Sequence, residues 1–402
     1  MSDVSVCAAP AAPASPLDAA WWAVFSLAFG VFGLVTAEFL PVSLLTPMAL
    51  ELGVSNGLVG QAITATAVVA ALAGPLLILG AGRLDRQKIV WVLMGMLILS
   101  SILSAYATSL AVLLVARALL GFALGSYWSM MAALALRLVP SAQVPRAISL
   151  IFMGVSVATV FAAPLGAYLG DLWGWRATFL AASAIGAVAL VLQVMTLPKL
   201  PPNAAPGLAS LKITASRRSV LIGLGATLLV VSGHFAGFTF IRPFLELVPR
   251  MDVATVSLVL LAFGLGGFLG NVAGGAIAAR SPAWAVASAA FLIGGVALVL
   301  SLIGDVPSVA FAGTALWGFA FGALPVAIST WTARAAPDHA ESAGALQSST
   351  FQVAIATGAV LGGVIVDGLG PRGVLVYMAL AAFVAAGVMV VAGRAHEHRR
   401  MG

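Results

Sequence analysis

Three ionisable side chains fall inside long apolar segments of this 402-residue chain: Glu38, Arg117 and His234. A charge at the centre of a bilayer costs roughly 2.5–3.5 kcal/mol even on insertion scales, so such a group needs a partner, water or a function. A carboxylate beside an arginine can gain or lose a proton as its water access or its distance from the cation changes. Glu38 and Arg117 are therefore the candidates for proton coupling.

Glu38 and Arg117 are expected at similar depths in the membrane. Glu38 follows the Trp21-Trp22 pair by sixteen residues, which is roughly 24 Å of helix from a membrane interface. Arg117 is seven residues into its own apolar segment, or about 10 Å from the opposite interface. Two structural alternatives stay open, namely a static ion pair between helices and snorkelling of Glu38 towards water.

His234 leaves three interpretations open. Its imidazole titrates near neutral pH and suits proton exchange, but it can equally hydrogen-bond a substrate or a neighbouring helix. Arg242, which precedes Pro243, is interpreted as a side chain that snorkels to the interface.

Uncharged polar and aromatic groups within the spans suit a flat, polar, uncharged ligand. Any one of them is more often an interhelical hydrogen bond or an interface aromatic than a ligand contact. Besides His234, the substrate-binding candidates are Gln61, Trp128, Asn271, Trp317, Gln347 and Gln352.

The amino-acid composition indicates that this chain lies in a membrane. Hydrophobic residues make up 62% and charged residues 8%, whereas a soluble protein carries about 25% charged residues. The sequence has no Walker motif, no His/Cys cluster, and no glycine-rich loop after a strand. We therefore expect a membrane protein that is not an enzyme, with no metal, no cofactor and no nucleic-acid partner, whose energy comes from a gradient or from the substrate itself.

Apolar stretches of about 20 residues cross a ~30 Å hydrocarbon layer. Twelve such stretches predict an all-α integral membrane protein. They are 22–48, 57–79, 89–107, 110–136, 147–169, 176–197, 220–244, 254–279, 283–303, 308–332, 344–366 and 373–393.

An internal repeat divides these spans into two sets. The string 118–125 returns 197 residues later as 315–322, with six of its eight positions identical. Parallel repeats of this size predict two six-helix halves related by a pseudo-two-fold axis, as in one large class of secondary transporters. The predicted divisions are a disordered cytoplasmic leader at 1–19, an N-terminal half at 20–197, a cytoplasmic linker at 198–219, a C-terminal half at 220–393 and a basic tail at 394–402.

Basic residues predict the orientation. With both termini inside, fourteen of the 19 Lys and Arg residues lie in cytoplasmic segments and three in outside loops. The positive-inside rule therefore favours cytoplasmic N and C termini.

The fourth span carries a family resemblance. Arg117 followed by Gly121 and Gly125 resembles the helix-four signature of the major facilitator superfamily, in which that arginine is implicated in proton transfer. The loop after the second span keeps Asp85, Arg86 and Lys88 of the superfamily's gating loop. The resemblance implies a charge relay in which Asp85 pairs with helix-end groups and holds the outward-facing state.

The fifth span is similar to the antiporter signature Gly-Pro-x-x-Gly-Gly of the twelve-span drug:proton antiporter group. Ala163 replaces the first glycine of that signature, and the double glycine is spread out. The matching residues are Gly154, Pro164, Gly166 and Gly170.

Longer segments resemble the purine ribonucleoside efflux pumps of bacterial inner membranes. They include 38–48, 240–243 and 317–326. The resemblance implies a monomeric antiporter that exports inosine or guanosine in exchange for protons by alternating access. An exporter of drugs or of arabinose-like sugars is the alternative within the superfamily, and a non-transporting membrane sensor is a remote one.

Overall fold

The computed structural model describes residues 20–80, 84–140, 143–201 and 208–401, and the regular structure in those ranges is entirely helical. The first six helices, α1 to α6, are Trp21–Leu52, Asn56–Gly80, Arg86–Ala105, Leu110–Leu138, Val144–Thr196 and Leu208–Ala215. Helices α7 to α12 are Arg218–Thr239, Ile241–Leu247, Val253–Arg280, Pro282–Ile303, Pro307–Ala335 and Ala340–Met401. The predicted all-α membrane fold is confirmed.

Two of these helices each contain two membrane-crossing arms joined at a glycine. α5 has 53 residues and α12 has 62, more than twice the length that one crossing needs. Gly174 (φ 80°) and Gly370 (φ 75°) adopt backbone conformations that side chains with a Cβ avoid, so glycine permits both turns. Within the described residues ten helices are long and apolar enough to span a membrane. Dividing α5 and α12 at their glycines gives the twelve predicted spans.

The seventh predicted span, 220–244, is interrupted. α7 ends at Thr239 and the short α8 begins at Ile241. Pro243 has no N–H to donate to the Thr239 carbonyl, which is the bond that a continuous helix would form there. The break leaves Arg242 on a separate short helix.

The repeated string packs neighbouring helices in both halves. In the N-terminal half, Gly121 and Gly125 of α4 lie against the backbone of Thr66 and Ala70 on α2. In the C-terminal half, Gly318 and Gly322 of α11 lie in the same way against the α9 backbone. Small residues permit such close approach in lipid, where apolar burial does not drive helices together.

Aspartate side chains cap the N-termini of two helices. Asp85 accepts a hydrogen bond from the Gln87 N–H at the start of α3, and Asp252 accepts one from the Thr255 N–H at the start of α9, both at 2.9 Å. Each bond satisfies a backbone donor that has no partner within its helix. The hydrogen bonds that the Asp252 carboxylate accepts from Thr255 also lower its pKa.

The two faces of the bundle can be named from the ends of the helices. We call the side where α1 begins, at Trp21, the terminal side, because α12 also ends there after an even number of crossings. The side where α1 ends and α2 begins is the distal side. A buried apolar cluster on the distal side contains residues of both halves, among them Leu44, Phe179, Phe240 and Val366.

The predicted domain divisions stay predictions. Residues 1–19, and Arg83 in the loop before α3, lie outside the described residues. Within the predicted linker 198–219 the chain forms the eight-residue α6, and α12 continues through the predicted tail to Met401. At the edge of the linker, the Arg217 guanidinium hydrogen-bonds Asp338 and lowers the pKa of that carboxyl to about 2.

Candidate functional site

A proline in α1 explains where Arg117 binds. Pro41 has no N–H for the carbonyl of Ala37, which a regular helix would satisfy from that position. Nη1 of Arg117 donates to this carbonyl at 2.8 Å, and Nη2 donates to the Glu38 carbonyl at 3.1 Å. The guanidinium thus replaces a missing helix hydrogen bond, and it fixes α4 against α1.

The Glu38 side chain lies next to this contact but is not part of it. It is 9% exposed, and it makes no hydrogen bond or ion pair with any described residue. Nε of Arg117 is also buried without a partner in the described chain. The structure therefore brings the two predicted proton-coupling residues together through the main chain, with the carboxyl group and one guanidinium N–H both unpaired.

A second proline in α1 also frees a carbonyl, which accepts a hydrogen bond from an arginine of the other half. Pro47 leaves the Ser43 carbonyl without its helix donor, and Nη1 of Arg242 donates to that carbonyl. Nε of Arg242 donates to Glu246 at 2.7 Å, and Glu246 accepts a hydrogen bond of 2.6 Å from Thr46. The prediction that Arg242 snorkels to water is wrong, because its side chain is 5% exposed and joins α8 to α1.

His234 lies in a cage of aromatic rings. Its Nδ1 accepts a hydrogen bond of 2.9 Å from Nε1–H of Trp317. The Phe321 ring stacks on the imidazole with centroids 3.4 Å apart and planes 3° apart. Phe235, Phe238 and Phe263 complete the cage. Two of the predicted substrate-binding residues, His234 and Trp317, are thus directly bonded and almost fully buried.

The other substrate-binding candidates are scattered. Gln61 bonds the Gly57 carbonyl of its own helix at 3.2 Å, and Gln347 bonds Ser329 at 3.0 Å. Gln352 keeps a buried side-chain oxygen without a partner in the described chain. Trp128 packs on Phe152, and Asn271 is exposed on α9.

A crevice of about 420 Å³ separates α2 from α12. The two helices touch near the distal side, where Gly363 lies against Gln61. The crevice is lined mainly by apolar side chains together with Thr64 and Thr357. The contact between the two helices therefore lies near the distal side.

Asp367 closes the distal contact, and sequence analysis gave it no role. Its carboxylate accepts hydrogen bonds from the Ser55 hydroxyl at 2.5 Å and from the Gly57 N–H at 3.0 Å. A carboxylate of the C-terminal half therefore caps the N-terminus of α2, where the helix dipole favours negative charge. The repeat offers a signal, since Asp171 occupies the matching place before the glycine turn of α5.

The predicted gating loop is hydrogen-bonded to the segment that follows α5. Besides capping α3, Asp85 accepts a hydrogen bond of 3.0 Å from the Leu200 N–H, and the Arg86 N–H donates to the Leu200 carbonyl at 2.8 Å. Lys88 is exposed. These contacts tie α3 to the segment after α5, and a gating role for the loop stays a prediction.

The glycines of the predicted helix-five motif pack α5 on α1. A Cβ at Gly154 would meet the Ala28 carbonyl, one at Gly166 would meet Ser43, and one at Gly170 would meet Leu44. Pro164 lies inside the same arm of α5. In this structure the motif serves helix packing against the helix that carries Glu38.

The described residues contain no group of three or more His, Cys, Asp or Glu side chains placed to hold a metal ion. These sites present an unpaired carboxyl at Glu38 and a hydrogen-bonded imidazole within the aromatic cage.

Comparison with known proteins identifies relatives along most of the chain. The model of the Major Facilitator Superfamily matches residues 27–340 and 227–400. The chain is 42% identical over 350 residues to the purine ribonucleoside efflux pump NepI of Escherichia coli O6:H1, covering 87% of this chain and 88% of that protein. The protein of the same name from Shigella dysenteriae serotype 1 is 41% identical over 350 residues, covering 87% of this chain and 89% of that protein.

Solved structures share the fold. A bacterial homolog to the human lysosomal transporter Spinster, in an inward-facing and occupied conformation, gives a TM-score of 0.77 at 15% identity, covering 92% of this chain and 96% of that chain. The human organic anion transporter MFSD10 gives 0.66 at 16% identity, covering 92% and 99%. At this identity the likeness supports the twelve-span architecture alone.

Proposed function

Because the chain belongs to the Major Facilitator Superfamily, we propose that it exports purine ribonucleosides such as inosine or guanosine in exchange for protons. The substrate class comes from the relatives that share 42% of its residues over 350 positions. Alternating access would move the site between the two sides as the two halves rock. The protein would act as a monomer without a cofactor in the bacterial inner membrane, with the terminal side in the cytoplasm.

Proton coupling is proposed for Glu38. The observation that carries it is a buried carboxyl without a partner, beside an arginine whose Nε–H is also free. A buried charge is tolerated when it is paired, so loss of the proton would draw the carboxylate towards Nε of Arg117. The Nη groups would meanwhile stay on the α1 carbonyls, which keeps the cation in place through the cycle.

Transport in proteoliposomes with an imposed pH gradient tests this role. We expect Glu38→Gln to abolish gradient-driven uptake or efflux of radiolabelled inosine while equilibrium exchange continues. The matched control is Asp338→Asn. The pKa of Asp338 is lowered to about 2, so its ion pair with Arg217 is lost only as the pH falls from about 4 towards 2, below any assay pH. The control should keep the wild-type pH profile, and normal gradient-driven transport by Glu38→Gln would refute the role.

Competition binding tests the substrate class separately. Purified protein is offered labelled inosine together with unlabelled guanosine, arabinose or a lipophilic cation. We expect guanosine alone to displace inosine at micromolar to millimolar concentration. Binding of labelled arabinose or of a labelled lipophilic cation, with no binding of inosine, would assign the protein to sugar or drug export.

A further inference from the structure

The hydrogen bond between Trp317 and His234 fixes the position of a proton. An indole N–H can only donate, so the Nδ1 atom of His234 that accepts it at 2.9 Å carries no hydrogen. The single proton of a neutral imidazole then resides on Nε2. The bond selects one tautomer, and it does so from another helix, α11.

The surroundings keep the imidazole in that form. The contacting rings come from α7, α9 and α11, and they are Phe235, Phe238, Phe263, Trp317 and Phe321, none of which carries a charge. Phe321 is the half-buried member of the cage, whereas the other four are 1–4% exposed. The electrostatic surroundings of the ring are therefore those of neutral aromatic faces, which offer no carboxylate to stabilise an imidazolium.

The proton on Nε2 has no acceptor in the described chain. The only hydrogen bond of the His234 side chain to a described residue is the one from Trp317, although the residue is 1% exposed. An N–H donor without an acceptor leaves its hydrogen-bonding capacity unused. A ligand that brings an acceptor into the cage would satisfy it.

We propose that Trp317 is a positioning residue that holds His234 as a hydrogen-bond donor, and that Nε2–H binds an acceptor atom on the base of the transported nucleoside. The proposal rests on the proposed function and deepens it. A purine base offers a flat face to the phenylalanines and ring-nitrogen or carbonyl acceptors at its edge. A ribose has oxygen acceptors but no flat aromatic face, so we expect the base to be recognised in the cage.

Binding to purified protein in nanodiscs tests the proposal, with labelled inosine as the probe. All variants carry Glu38→Gln, which removes the titration of that carboxylate from the pH profile. In this background we expect affinity to stay level between roughly pH 5.5 and 8, because the neutral cage keeps His234 uncharged and the Trp317 bond keeps its proton on Nε2. His234→Phe should lower affinity about tenfold, and His234→Gln, which keeps an N–H donor, should recover much of it.

The variant that distinguishes positioning from packing is Trp317→Phe. Without the indole donor the imidazole is free to place its proton on Nδ1, so affinity should fall several-fold at pH 8. The ring 15N chemical shifts of His234 should then report a proton on Nδ1, a change that a packing role alone would not produce. The matched control is Trp331→Phe on the same helix, which loses a 3.0 Å bond to the Ser219 carbonyl and should leave the level profile intact.

Two outcomes overturn the proposal. One is unchanged inosine affinity in His234→Phe, and the other is a Trp317→Phe variant in which the His234 proton stays on Nε2. Should His234→Phe fail to fold, wild-type binding of 7-deazainosine and of ribose-modified inosine decides. The proposal is contradicted if affinity falls when the ribose is modified but does not fall when any acceptor on the edge of the base is removed. Absence of nucleoside binding by the wild type would instead refute the proposed function.

Discussion

At the scale of single residues, two arginines complete the hydrogen bonding of α1. Each proline of that helix frees the carbonyl four residues before it, and each freed carbonyl accepts from a guanidinium: Ala37 from Arg117, and Ser43 from Arg242. A carbonyl without a donor is costly in lipid. The arginines are therefore part of the secondary structure of α1 as well as of any proton pathway, and the two roles can be separated by experiment.

A double-mutant cycle separates them. Arg117→Gln should destabilise the protein by roughly 1–3 kcal/mol, because the Ala37 carbonyl loses its donor. In a Pro41→Ala background the new Ala N–H satisfies that carbonyl, so the same change should cost measurably less. We expect a coupling of about 1 kcal/mol in thermal or denaturant unfolding in detergent.

Pro325→Ala in α11 provides the matched control for that cycle, since its helix is not bonded by Arg117. Arg117→Gln should cost the same with or without it. Full additivity of Arg117→Gln with Pro41→Ala would show that the guanidinium does not replace the missing helix bond.

At the scale of helices, the glycines of the repeated string set the spacing between α2 and α4 and between α9 and α11. A Cβ at Gly125 would lie 2.8 Å from the Cα of Ala70, and one at Gly322 would lie 2.7 Å from the Cα of Gly267. These neighbours are backbone atoms, which cannot rotate away. The two helices must separate to accept a methyl group.

Gly125→Ala should therefore destabilise the protein by about 1–3 kcal/mol through overpacking. Gly95→Ala on α3 is the control, because a Cβ there has open space around it. It should be neutral or slightly stabilising, since Ala favours helix over Gly by up to about 1 kcal/mol. Thermal unfolding of both variants measures the difference, and equal melting temperatures would contradict the packing argument.

At the scale of the whole molecule, the architecture was predictable from sequence because it follows from apolar run lengths and the repeat. The proximity of Glu38 to Arg117 followed from their depths along two helices. The partners of individual groups were not predictable in this way. Depth placed Arg242 near an interface, but only the bend at Pro243 and the freed Ser43 carbonyl turn its side chain inwards onto α1. The contact of Asp367 with α2 depends on how the halves dock, and no local pattern encodes that.

Those two contacts join the halves at the distal side, so alternating access requires breaking them. Arg242 bonds Ser43 of α1, Glu246 bonds Thr46, and Asp367 caps α2. Hydrogen bonds to charged groups contribute about 1.5–3 kcal/mol each. Removing one should shift the balance between distal-closed and distal-open states roughly tenfold or more towards the open one.

Spin labels at Leu50 and Leu247, both exposed near the distal side, report this shift once Cys7 is replaced by serine. In Arg242→Gln or Asp367→Ala we expect a population with a longer distance between the two labels to grow in double electron–electron resonance measurements. Arg372→Gln is the matched control, since Arg372 pairs at 3.1 Å with Asp305 inside its own half. It should leave the distance distribution unchanged. If Arg242→Gln and Asp367→Ala both match the wild type, these bonds do not hold the distal side closed, and the apolar cluster around Phe240 must do so without them.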